Sequence, residues 1–237
     1  EKYGHFFIDH FIGTTPHATA CLLENPEALR FFFYKKRNLL KVTAREDLVI
    51  HNYALGYTIR YQLDSFSYHY GTKISQYTGS PFFQAMDSTE ERELTWKKNR
   101  AHSYLGSRLH FMRALYDSLV TEEGFSIEVL TGEGSTEGTE MKNIYDPAYY
   151  EADSSSVSID WAGRFRILYR KVWPDKKFLQ EYHLPEELRY QVTLLEIPDG
   201  FTIEQNGYFY EQYDLINTGY WAWKKLAELL PYDYEYE

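Results

Sequence analysis

The chain has 237 residues, 43% hydrophobic and 25% charged, with a formal net charge of −10. This length and balance suit a folded chain with a sizeable core. The acidic surplus argues against nucleic acid and against an anionic membrane surface, both of which call for basic patches. No apolar run approaches the ~18 residues of a membrane helix. The start, EKYGHFFIDHF, shows no basic-then-apolar signal pattern, and it lacks an initiator Met, as expected of a processed or trimmed chain.

In KYGHFFIDHFI, residues 2–12, Phe7, Ile8, Phe11 and Ile12 recur at helical spacing, and Gly13 follows as a C-cap. Cys21, the one cysteine, can form no internal disulfide, and its neighbours in TACLLENP predict a buried, inert thiol. ENPE, 24–27, is a turn. From 28 to about 86 the pattern changes to strands: ALRFFFY, LLKVTA, DLVIHN, GYTIRYQLDSFSYHY and KISQYTGSPFF. Turn formers separate these five runs, which predicts an antiparallel meander.

DSTEERE opens a helix, with Glu90, Glu91 and Glu93 suited to its positive end. Periodicity extends it from 90 to about 122, with a break near Gly106 as the alternative. FSIEVL is a strand and TGEGSTEGTE an exposed loop. SVSIDW and RFRILYRKV flank an AG turn and predict a hairpin. YQVTLLEI, FTIEQNG and YFYEQYD follow as strands, with NG as a hairpin turn. GYWAWKKLAELLP predicts an amphipathic C-terminal helix. The expected fold is a single α+β domain over 1–237, an antiparallel sheet packed with a long central helix and terminal helices. Residues 131–156 form the one weak boundary or exposed loop.

Motifs for familiar chemistry are incomplete. The Gly-rich loop carries glutamates and no Lys-Ser/Thr ending, so phosphate would be repelled. His5 and Asp9 share a helix face but lack a third metal ligand. His183-Leu-Pro-Glu186 has no downstream histidine, and Gly106-Ser107 lies within a helical pattern, not a nucleophile elbow. No metal or cofactor is expected.

The stretch NRAHSYLGSRLHFMRALYDSL is different. Leu105, Leu109, Met112 and Tyr116 form a core stripe, while Trp96, Arg100, Ser103, Ser107 and His110 follow one another at spacings that place them on a second helical face. Three readings stay open: wiring to loop carbonyls, a pocket for a polar ligand, or a Ser107–His110 nucleophile–base pair. Arg100, Tyr104, Ser107 and His110 are the candidate ligand-binding residues.

Four stretches, in order, resemble the C-terminal region of the carboxypeptidase-regulatory-like-domain-containing proteins of Bacteroidetes-type bacteria. They are FFIDHFIGTTPHATACLLENPEAL, LVIHNYALGYTIRYQLDSF, KKNRAHSYLGSRLHFMRALY with EEGF, and NTGYWAWKKLAELLPYDY. The resemblance implies export to the periplasm or cell surface, behind a signal peptide and a small β-sandwich. It implies no peptidase activity and transfers no catalytic residue. With 23 Tyr, 15 Phe and 5 Trp, the chain has aromatics enough for stacking surfaces as well as half-buried strands. The expectation is a non-catalytic cell-envelope module binding a protein, peptide or glycan; the alternatives are an envelope hydrolase of unrecognised type or a purely structural or regulatory domain.

Overall fold

A computed structural model describes residues 3–132, 134, 136–212 and 214–236. Lys2 of the expected first helix, Glu133 and Ser135 of the TGEGSTEGTE loop, and Tyr213 of the YFYEQYD run lie outside the described residues. The fold is α+β, 24% helical and 36% strand, with antiparallel sheets. None of its described helices is long and apolar enough to cross a membrane. The chain forms two compact units, Glu1–Arg100 with Lys225–Pro231, and Ala101–Lys224 with Tyr232–Glu237. The division falls at Arg100, while the 131–156 stretch lies within the second unit.

The first unit begins with α1 (Gly4–Phe11), followed by β1 (Cys21–Leu23), β2 (Leu29–Tyr34), β3 (Leu39–Ala44), β4 (Leu48–Asn52), β5 (Tyr57–His69) and β6 (Ile74–Ala85). The five expected strands are β2 to β6, but they do not form a meander. The order is β1-β4-β5-β3-β2, with β6 along β5. Strand β5 is long enough for β4 to pair with its Tyr57–Tyr61 and for Leu39–Val42 of β3 to pair with its Phe66–His69. A register shift between Leu63 and Ser65 changes the phase. Tyr57, Ile59, Tyr61 and Leu63 point inward before it, Phe66 and Tyr68 after it. Helix α1 buries Phe7 and Phe11 on this face, with Phe7 5.0 Å from Phe66 and Phe11 5.0 Å from Tyr61, ring to ring.

The expected long helix is two shorter ones, α2 (Glu90–Tyr104) and α3 (Arg108–Tyr116). Gly106 takes φ +73°, a left-handed conformation that ends the first, and Ser107 is extended and caps the second. The remaining elements are β7 (Phe125–Leu130), β8 (Gly138–Glu140), β9 (Tyr150–Ala152), β10 (Ser156–Ile159), β11 (Gly163–Tyr169), α4 (Lys176–Glu181), β12 (Gln191–Ile197), β13 (Phe201–Glu204), β14 (Ile216–Gly219) and α5 (Tyr220–Trp223). They build a sheet ordered β14-β12-β11-β7-β8 and a smaller one ordered β13-β10-β9.

The expected SVSIDW–RFRILYRKV hairpin is therefore absent: β10 and β11 belong to different sheets. Between them the chain buries Trp161 and passes through Gly163 at φ +124°, so the turn redirects it between layers. Phe111, Met112 and Leu115 of α3 pack in one core with Phe125, Ile127, Phe165 and Leu195 of the larger sheet and Val157, Ile159 and Ile203 of the smaller. The NG turn forms, with Gly207 N–H donating to Glu204 O at 2.9 Å, but among the described residues the following run pairs as an isolated bridge, Phe209 to Ile203, and not as a strand. The expected C-terminal helix is reduced to α5 and a 3-10 turn at Leu226–Glu228.

Candidate functional site

Tyr104, Ser107 and His110 meet at the turn between α2 and α3. Ser107 Oγ accepts the His110 backbone N–H at 3.1 Å, a helix N-cap. The His110 ring is buried, and its Nδ1 accepts the Gly106 N–H at 3.1 Å. Nε2 lies 3.0 Å from Glu123 Oε2, so the neutral ring carries its proton on Nε2 and donates it to that carboxylate. Burial pulls the imidazole below its ordinary value, outweighing the upward pull of Glu123. The Tyr104 ring lies 4.7 Å from that of His110 and stacks on Tyr236 at 5.2 Å.

This arrangement leaves Ser107 and His110 no nucleophile–base geometry. The serine oxygen faces a backbone amide, and the basic ring nitrogen faces Gly106. Cys21 is no stronger a nucleophile, since burial pushes its thiol up to about 12. Among the described residues no group of three or more His, Cys, Asp or Glu is placed to hold a metal ion.

Arg100 sits in the first unit and serves another turn. Its Nε donates to Leu55 O at 2.7 Å, its guanidinium lies 4.5 Å over the Tyr57 ring, and Nη1 meets Glu93 at 3.0 Å. Asn99 Nδ2 donates to Ala54 O at 2.7 Å, and Trp96 Nε1 to Tyr53 O at 2.8 Å. Three side chains on one face of α2 thus hold three successive carbonyls of the β4–β5 connection. Gly56 lies beneath the Trp96 ring, where a Cβ would come within 2.3 Å. The stripe inferred from helical spacing is in fact two turn locks.

Helix α3 leads to a site that the sequence does not announce. Arg113 Nε donates to Asn206 O at 2.9 Å, while its terminal nitrogens hold the Tyr234 and Tyr232 carbonyls at 2.8 and 2.9 Å. Asn206 belongs to the wall of an open cleft of about 650 Å³ on the smaller sheet, lined also by Ser156, Thr202, Glu204, Gln205 and Tyr210. Tyr210 is 56% exposed and donates its hydroxyl to the Glu204 carboxylate. Opposite, Asp153 accepts the Ser155 and Ser156 N–H groups at 2.7 and 2.8 Å and the Ser156 hydroxyl at 2.9 Å. Those backbone hydrogen bonds pull the Asp153 carboxyl down to about 2 and fix the loop. Among the described residues the lining is hydroxyl, amide, one carboxylate and one exposed ring, with no cation.

The only sequence signals for this cleft are the NG turn and the abundance of tyrosine. Its residues come from the ends of β10 and β13 and the turns beside them, some 50 positions apart, and their side chains are ordinary at such places. No family model, curated protein or solved structure matches the chain.

Proposed function

We propose that this chain is a binding module of the bacterial cell envelope, periplasmic or at the cell surface, and that it recognises a glycan. The exposed Tyr210 ring beside a cleft of hydroxyls and amides carries the reading. A neutral sugar offers apolar C–H faces for a ring and hydroxyls that both donate and accept. Glu204 is an acceptor for such hydroxyls, and Thr202 and Gln205 supply both roles. The lack of cationic side chains in the lining disfavours phosphorylated or carboxylated ligands. The envelope location rests on the resemblance to the exported Bacteroidetes-type proteins.

In this reading the conspicuous helical residues support the site without touching ligand. Ser107 and His110 set the turn that starts α3, and Arg113 of α3 holds the Asn206 backbone. The test is binding to a glycan array, followed by calorimetry with the best soluble oligosaccharide. Tyr210→Ala should lower affinity at least tenfold and leave the melting temperature unchanged, because the ring is exposed. An array without signal, or binding indifferent to Tyr210→Ala and Gln205→Ala, would overturn the reading.

A further inference from the structure

In the first unit Lys225 is half-buried with its stem over Gly13. A Cβ on Gly13 would lie 3.3 Å from Lys225 Cβ, and Gly13 itself takes φ +115°. The amine ends 3.2 Å from Ser75 Oγ. Ser75, second in β6, lies opposite Tyr68, whose ring is buried and meets the Phe6 and His10 rings at 4.7 Å each. His10 directs Nδ1 to Phe6 O at 2.8 Å, and its charge is coupled to the amine. Among the described residues no carboxylate pairs with Lys225.

A shielded amine without a counter-charge is disfavoured in its ammonium form, and burial brings Lys225 down to about 8. A neutral minority therefore exists at pH 7 and grows as pH rises through about 8, and a neutral amine accepts the hydroxyl proton of an adjacent serine. Strand β6 pairs with β5 alone among the described strands, so Ser75 also stands on an open sheet edge.

We propose that Ser75 and Lys225 form a nucleophile–base pair that cleaves small carboxylic esters. Ser75 Oγ bonds to the ester carbonyl carbon as its proton passes to Lys225 Nζ. The C–O bond to the leaving alkoxide then breaks, and the Lys225 ammonium protonates the alkoxide, giving a free alcohol and an ester on Ser75. Water, deprotonated by Lys225, adds to that ester and releases the carboxylic acid and the serine. The Tyr68 ring, cross-strand from Ser75 and in contact with Phe6, suits an apolar acyl group. The activity is separate from the glycan cleft and independent of it.

The test uses the full chain and a fluorophosphonate probe, in which the serine oxygen bonds to phosphorus and fluoride leaves. Peptide mapping should find one adduct, on Ser75, formed at a rate that rises with pH around a midpoint near 8. p-Nitrophenyl butyrate hydrolysis should follow the same profile. Ser75→Ala and Lys225→Met should abolish both while glycan binding and cooperative unfolding persist. No adduct, an adduct elsewhere, or undiminished Ser75 labelling in Lys225→Met would overturn the proposal.

Discussion

Trp221 donates its indole N–H to the carbonyl of Gly106 at 2.7 Å, joining residues 115 positions apart. The Gly106 N–H is spent on His110 Nδ1, so both polar groups of one peptide position are held by buried rings. Gln191 Oε1 and the Tyr169 hydroxyl are buried at the same turn without a hydrogen-bond partner among the described residues. The turn is closed on every side, which is why its residue has no side chain.

Gly106→Ala should therefore be severe. Its Cβ would meet Gln191 Oε1 at 2.3 Å and Tyr169 Cδ1 at 2.5 Å, in a backbone conformation unfavourable to alanine. Strain and overpacking together should cost about 2–4 kcal/mol. Urea denaturation would register the loss; Trp221→Phe, which leaves only the Gly106 carbonyl unpaired, should cost about 1–3 kcal/mol.

His110→Phe should destabilise the protein by about 1–3 kcal/mol above neutrality, because Gly106 N–H and Glu123 both lose a partner. The deficit should depend on pH. His110 titrates below its ordinary value of 6.5 when folded, so the unfolded chain takes up the proton first as pH falls. Wild-type stability drops below that value and levels off once the folded ring is protonated too. The gap between wild type and His110→Phe should accordingly narrow from pH 7.5 toward pH 5, as denaturation midpoints would show. A gap constant over that range would place the ring's proton affinity at its unfolded value.

Arg113→Met tests how α3 supports the cleft. It removes the grip on the Asn206, Tyr232 and Tyr234 carbonyls but touches no lining side chain directly. Glycan affinity should fall several-fold, up to about 1.4 kcal/mol, or tenfold. Arg113→Lys should recover only part, since one ammonium cannot span three carbonyls as a guanidinium does. Equal affinity in all three proteins would mean the Asn206 turn holds its position without α3.

Lys225→Met should raise stability at pH 7. A lysine lowered from 10.5 to about 8 binds fewer protons folded than unfolded between those values, so its destabilising effect is full below about 8 and relieved as pH rises toward 10.5. The shift corresponds to about 3 kcal/mol at most. The melting-temperature advantage of Lys225→Met should be largest at pH 7 and shrink by pH 9.5. An advantage independent of pH would reflect packing alone.

The strands β2 to β6, α1 with Gly13 behind it and the NG turn were legible in the sequence, because each depends on local periodicity or on a residue that tolerates positive φ; the break at Gly106 was legible only as an alternative to one long helix. The pairing of those strands was not. Sequence spacing cannot reveal that β5 is long enough to serve both β3 and β4, or that the turn at Asp160–Gly163 sends the chain from one sheet to another. Helical spacing likewise put Trp96, Arg100, Ser107 and His110 on one face, but a single left-handed glycine ended that face, and tertiary contacts gave each residue a different carbonyl, amide or carboxylate. The cleft and the Ser75–Lys225 pair bring together residues some 50 and 150 positions apart through side-chain geometry, for which a linear pattern holds no signal. Local chemistry determined which segments are helix, strand and turn; only folding decided which polar groups are consumed as wiring and which remain open to a ligand.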